Sequence, residues 1–285
     1  MTLPYPDAGQ CVPLLKVAGA VLADLREWTA AALPGHDDLP LVSLAFGAAV
    51  VGPWASADQL RLPTRMAAWA YALDDHLELR ATDADDLVDR CLAVVRTGQA
   101  DTSHPLLTSL SAWNQELTSL PGYPPLDTLW QAKFASCLRG HRYDWVAGRT
   151  RERGTVAEYL DHADSISLWL VNLPRWVAYG GPDLPAHLDV LVPAVDDLSM
   201  AVRLANDLAT IDRERDQPGQ NNILMYDGVT ADWVRGRVAE RLTAMRRRLE
   251  PLLTSDFLPA VGVVRLSEWA IGVYQGTDLR TLTPP

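Results

Sequence analysis

Twenty prolines cut this chain of 285 residues into apolar stretches that are longer than strands usually run and carry helical spacing. Proline fixes φ and lacks an N–H, so it favours helix starts and connections. Pro13, Pro53, Pro63, Pro105, the cluster at 121–125, Pro174, Pro182, Pro185, Pro193 and Pro218 therefore read as the punctuation of a multi-helix protein. The alternating β-branched runs that strands require are scarce. Residues 14–32, 64–80, 126–147, 193–213 and 230–250 are expected to be helical. The expected fold class is all-α, one domain over residues 1–285, with a division near 121–125 as the alternative. No internal repeat, low-complexity tract or linker interrupts it.

Charge and composition exclude several roles. A net charge of -11 disfavours nucleic acid and anionic lipid as partners. An acidic protein with an anionic substrate needs a metal or a local arginine cluster. No apolar run is long enough to span a bilayer, and residues 1–6 lack the basic and apolar regions of a signal peptide, so the expectation is a cytoplasmic protein off the membrane. Cys11, Cys91 and Cys137 are odd in number, far apart and without metal-ligand spacing; they read as thiols of a reducing compartment. Lysine occurs only at Lys16 and Lys133, the other basic residues being arginine. With abundant alanine and glycine, that bias points to a GC-rich bacterial genome.

Two acidic stretches stand out. In WAYALDDHLELR, Asp74 and Glu78 are four residues apart and share a helical face with Asp75 beside them, while Leu73 and Leu77 point toward a core. Carboxylates crowded on a mostly buried face repel unless a cation lies between them, and hard oxygen ligands suit magnesium. Alone, the same pattern also fits a solvated face, as the later run Asp83, Asp85, Asp86 and Asp89 is expected to be. In MAVRLANDLATIDRERDQPGQNN, Asn206, Thr210 and Glu214 recur every fourth residue, so an amide oxygen, a hydroxyl and a carboxylate lie along one stripe that drifts about 40° per step. Arg213 stands beside the last of them, within reach of a phosphate.

The second stretch resembles the Asn-Asp, Ser/Thr, Glu metal motif of class I terpene synthases: Asn206, Asp207, Thr210, Arg213 and Glu214, with Gly219 and Asn222 in its tail. The first resembles the aspartate-rich motif of the same family, and the 128 residues from Glu78 to Asn206 resemble its separation. The likeness runs from about residue 42 to 280. It implies an antiparallel helical bundle around a central apolar cavity, with both motifs at the mouth and three Mg2+ ions around a prenyl diphosphate. Asp74, assisted by Asp75 or Glu78, would ligate two ions, and Asn206, Thr210 and Glu214 the third. Arg213 matches a diphosphate-contacting residue, and Arg280 the arginine of a closing Arg-Tyr pair whose tyrosine is Thr281 here. Ala163 and Asp164 stand where a diphosphate-sensing arginine is expected, leaving Arg175, Arg139 or Arg142 to compensate.

Tyr71, one turn before Asp74, and Tyr274 are the candidate aromatic walls that would stabilise a carbocation, with Trp69, Trp145, Trp169 and Trp176 as further ones. His76 and His141 are weaker candidates, as general bases. The divergent arginines suggest a diterpene synthase, acting on geranylgeranyl or a copalyl-type diphosphate. A homodimer and an upstream class II cyclase supplying the substrate are compatible with that reading. Alternatives are a chain-elongating prenyltransferase, a farnesyl-diphosphate-using sesquiterpene synthase and a non-catalytic helical protein.

Overall fold

A computed structural model of the chain describes residues 8–36, 38–79, 84–150, 152–217, 219–277 and 282. Among them lie eleven α-helices and no β-strand. In chain order they are α1 (Ala8–Ala32), α2 (Leu41–Val51), α3 (Ala57–Leu79), α4 (Ala84–Thr97), α5 (Pro105–Ser119), α6 (Asp127–Thr150), α7 (Val156–Asp161), α8 (Leu168–Tyr179), α9 (Leu188–Glu214), α10 (Ala231–Leu253) and α11 (Leu258–Gly276). The all-α expectation holds, and each helix anticipated from sequence is present.

The prolines did not all act as punctuation. Pro13, Pro63, Pro174 and Pro193 lie inside α1, α3, α8 and α9. Each falls in the second turn, where it removes one backbone hydrogen bond at roughly 3 kcal/mol. Leu60, Leu62 and Met66 flank Pro63 and are buried, as Leu191 and Val195 are around Pro193. Burying several such side chains, at about 1.5–3 kcal/mol each, outweighs the lost bond and carries the helices back through the proline. The described members of the acidic run are exposed, as expected of a solvated face, and Asp85 and Asp86 open α4, where the helix dipole favours them. Asp85 and Asp89 pair with Arg142 on α6 at 2.7 and 2.9 Å, and Asp83 lies outside the described residues.

One apolar core runs from Leu25 on α1 to Ala270 on α11. An aromatic part of it joins α3, α5 and α6. Trp69, Trp113, Trp130 and Phe134 meet there with ring centroids 5.3 to 6.2 Å apart. The Trp69 indole N–H donates to the Leu106 carbonyl at 2.9 Å and that of Trp130 to Asn114 at 3.4 Å, whereas the buried Trp113 N–H has no acceptor among the described residues. Trp113 and Trp130 lie on either side of 121–125 and touch, so the same core continues across that segment.

The chain breaks between α7 and α8. A capping box, with Thr155 and Glu158 satisfying each other's backbone N–H groups, starts α7. A 3-10 turn at Ala163–Ile166 follows, then Ser167 with φ of 61°, in the left-handed region that side chains avoid. α6 runs close against this turn because Gly140 has no side chain: a Cβ there would lie 2.7 Å from the Ser165 nitrogen.

Candidate active site

A cavity of about 350 Å³ opens where α3, α6 and α9 meet the broken turn. From α3 come Tyr71, Asp74, Asp75 and Glu78; from α9, Asn206, Asp207, Arg213 and Glu214. α6 adds His141, Asp144, Trp145 and Arg149, and the turn adds Ser165, Ile166 and Ser167. Residues 219–221 close one side, held against α6 by a glycine pair: a Cβ on Gly148 would stand only 2.1 Å from the Gly219 carbonyl oxygen. Gly219 itself has φ of 88°, which suits glycine.

Arg203, on α9, organises the polar wall. Its guanidinium donates to both Asp144 oxygens (2.8 and 3.2 Å), the Ser165 hydroxyl (2.7 Å), the Tyr159 hydroxyl (2.6 Å) and the Asn221 carbonyl (2.9 Å). Tyr159 passes its proton side to Asp207 at 2.7 Å, and Asn221 donates to Asp144 at 2.8 Å. One fixed cation thus ties α6, α7, the broken turn, α9 and the loop at 221 together. Burial, partly offset by Arg203, raises the Asp207 carboxyl to about 7. Asp144 and Asp207 are therefore committed inward. The outward oxygens belong to Asp74, Asp75, Glu78, Asn206 and Glu214.

These outward groups are positioned by lighter contacts. Glu214 accepts from the Asn222 amide at 3.0 Å, the same amide that donates to the Asp207 carbonyl at 2.9 Å. Glu78 accepts from Gln220 at 3.3 Å, linking the α3 end to the loop after α9. Arg213 is 3.6 Å from Glu214, 46 % exposed, and lines the mouth. His141 stands 3.6 Å from Asp74 and 3.0 Å from the Ser167 hydroxyl; burial lowers its pKa and favours the neutral ring. Among the described residues no three Asp, Glu, His or Cys side chains converge as a metal cage by themselves. An oxygen donor set that leaves positions for water and phosphate fits magnesium, which keeps such ligands.

Below the mouth lies an apolar recess of about 100 Å³, reached past Tyr71, Ile166, Ser167 and Tyr274, which line both spaces. α2 contributes Gly47 and Ala48, α8 contributes Val171 and Arg175, and α11 contributes Leu266, Trp269 and Ala270. Gly47 lets the Trp269 indole approach α2 closely, since a Cβ there would be 2.7 Å from its nitrogen.

The structure thus brings Tyr71, Asp74, Asp75, Glu78, Asn206, Arg213, Glu214 and Tyr274 to one cavity. Thr210 does not line it: the side chain is buried and its hydroxyl donates to the Asn206 carbonyl at 2.8 Å. Arg280 and Thr281 lie outside the described residues. Of the candidate aromatics, Trp145 is at the mouth, but Trp69, Trp169 and Trp176 are packed into the core away from both spaces. All three are buried, and the Trp169 indole N–H donates to Asp196 at 2.9 Å. His76 is likewise absent from the cavity and stacks edge-on against His104. Ala163 and Asp164 are turned from the mouth, Asp164 accepting from Ser136 at 2.6 Å. None of the three compensating arginines reaches the mouth: Arg139 is exposed elsewhere, Arg142 holds α4, and Arg175 lies in the recess. Arg149 does, stacked 4.7 Å over Trp145, and it was missed along with Arg203 and Trp269. A signal for Trp269 existed: Leu266, Trp269, Ala270 and Tyr274 form one helical face.

Across 273 residues, the chain is 44% identical to the ent-pimara-9(11),15-diene synthase of Streptomyces sp. (strain KO-3988), covering 93% of this chain and 92% of that one. It belongs to the class I terpene synthase family. Solved terpene synthases share the fold. The linalool/nerolidol synthase of Streptomyces clavuligerus, in complex with 2-fluorogeranyl diphosphate, superposes with a TM-score of 0.72 at 18% identity, over 91% of this chain and 94% of that one. A cucumene synthase variant gives 0.70 at 19% identity, over 97% and 99%. No protein-family model matches the chain. No helix among the described residues is long and apolar enough to cross a membrane.

Proposed function

We propose that this terpene synthase uses magnesium to ionise a C20 prenyl diphosphate, either geranylgeranyl or a bicyclic copalyl-type diphosphate, and releases a diterpene and diphosphate. The observation that carries the reading is the pairing of one acidic, oxygen-lined mouth with one apolar recess beneath it. The C20 length is supported by the relative named for a pimaradiene. Asp74, with Asp75 or Glu78, and Asn206 with Glu214 would hold the ions, proposed to be three, and Thr210 would join the second set once its hydroxyl oxygen turns outward. Bound magnesium would supply charge neutralisation for the leaving diphosphate.

The chain's own groups do the rest. Arg213 and Arg149 sit at the mouth with planar donor forks suited to phosphate oxygens as charge develops on them. Arg280 is proposed to join them. Tyr71 and Tyr274 present aromatic surface at the junction of mouth and recess, where the carbocation is born. A mainly apolar recess lining would limit capture of the cation by polar groups while it rearranges. Where the substrate is the bicyclic diphosphate, a class II cyclase is the proposed upstream partner; a homodimer is the proposed assembly.

The test is product analysis by gas chromatography after incubation with geranyl, farnesyl, geranylgeranyl and copalyl diphosphates at equal concentration, with and without magnesium. A C20 substrate should give the highest kcat/KM, and chelation should abolish turnover. Preference for farnesyl diphosphate would overturn the C20 assignment. Condensation with added isopentenyl diphosphate, without cyclised product, would replace the synthase reading by chain elongation.

A further inference from the structure

The recess contains a charge that the scheme above does not use. Arg175, on α8, is only 7% exposed and lines the recess among Thr64, Val171, Val202 and Trp269. Its Nε and Nη1 are sealed from solvent with no hydrogen-bond acceptor, and it has no carboxylate partner among the described residues. Tyr179 lies one turn further along α8, and burial lowers the Arg175 pKa. A guanidinium does not give up its proton under ordinary conditions. A buried, unpaired cation is costly, and an apolar side chain of the same length would be the more stable occupant. It also cannot be a diphosphate clamp where it stands, since it lines the recess and is absent from the mouth, which Arg149, Arg203 and Arg213 line.

We infer that Arg175 is a specificity-determining residue that sets where positive charge can settle in the hydrocarbon cavity. The inference rests on the prenyl diphosphate reading. After ionisation the substrate hydrocarbon carries one positive charge in an apolar space where like charges repel strongly. A fixed guanidinium in the recess raises the energy of every intermediate whose charge lies near it. Tyr71 and Tyr274, at the junction with the mouth, lower the energy of those whose charge lies there. The two together form a gradient that confines the cation to the mouth side and shuts off rearrangements that would carry charge inward. The arginine thereby selects among products without taking part in ionisation.

The experiment compares the wild type with R175M, R175Q and R175K on the prenyl diphosphate that the wild type consumes best. It reads diphosphate release, product distribution by gas chromatography–mass spectrometry, and melting temperature. In the neutral variants diphosphate release should stay within about threefold of wild type and the melting temperature should hold or rise, while the main product loses at least about half its share to others. R175K, which keeps the charge, should keep the main product. An unchanged product distribution in a folded neutral variant overturns the proposal, and R175Q provides that variant if R175M fails to fold. A lysine variant that scatters products as the neutral ones do also overturns it, since charge would not be the cause. A loss of diphosphate release of about a hundredfold at unchanged melting temperature would instead make Arg175 part of the ionising machinery. If the wild type releases no diphosphate from any prenyl substrate, the parent reading fails rather than this one.

Discussion

Asn206 and Asp207 are adjacent in the sequence and have opposite fates. The first faces the mouth; the second turns inward to Tyr159 and Arg203. The four-residue spacing made Asn206 and Glu214 legible, because helical geometry alone puts them on one stripe. The burial of Asp207 was not legible: Arg203 is near it by helix spacing alone, but Tyr159, 48 residues away, is brought to it only by the fold. Replacing Asp74 or Asn206 by alanine is expected to reduce turnover by about a hundredfold or more while moving the melting temperature little, because both lie at a partly exposed mouth. Normal turnover in a folded variant would remove that residue from the site. Asp207 makes a different prediction. Its carboxyl holds a proton up to about pH 7 in the fold but loses it near pH 4 when unfolded. Between those values the unfolded chain binds fewer protons, so this group's contribution to stability is full below pH 4 and declines as pH rises through 7, on the order of a few kcal/mol. Melting curves of Asp207→Asn from pH 5 to 8 should accordingly be flatter than those of the wild type. Parallel curves would show that the carboxyl is ionised throughout.

At the scale of elements, α6 is the surface on which the site is assembled. Gly140 admits the broken turn between α7 and α8, and Gly148 admits the loop at Gly219, each through backbone contacts that a single Cβ would obstruct. Gly148→Ala should therefore push residues 219–221 outward, destabilising the protein by about 1–3 kcal/mol and lowering kcat/KM at least tenfold through the displaced Gln220 and Asn221. Thermal melting and steady-state kinetics check it; an alanine variant with native kinetics would show that the loop has room to shift. Neither glycine was legible as a contact, since each lies within a run of ordinary helical residues. Most helix identities were legible. The starts of α3 and α9 were not, because proline looks like a boundary until the burial of its flanks is known.

On the scale of the whole molecule, the acidic mouth and the apolar recess share some helices and differ in others. α6 lines only the mouth, α2 only the recess, and α3, the broken turn, α9 and α11 reach both. The mouth was largely readable from two motifs, whereas the recess was not, because apolar helical faces look alike whether they meet a neighbour or a void. That division has a consequence for how such a protein changes through descent. Substitutions on the α2 face or at Leu266 and Trp269 can reshape the hydrocarbon space while the diphosphate-handling groups remain untouched. New product chemistry is then reachable by single steps that never pass through an inactive ancestor. A library randomised at Gly47, Leu266 and Trp269 should contain many members that still release diphosphate yet differ from one another in what they make.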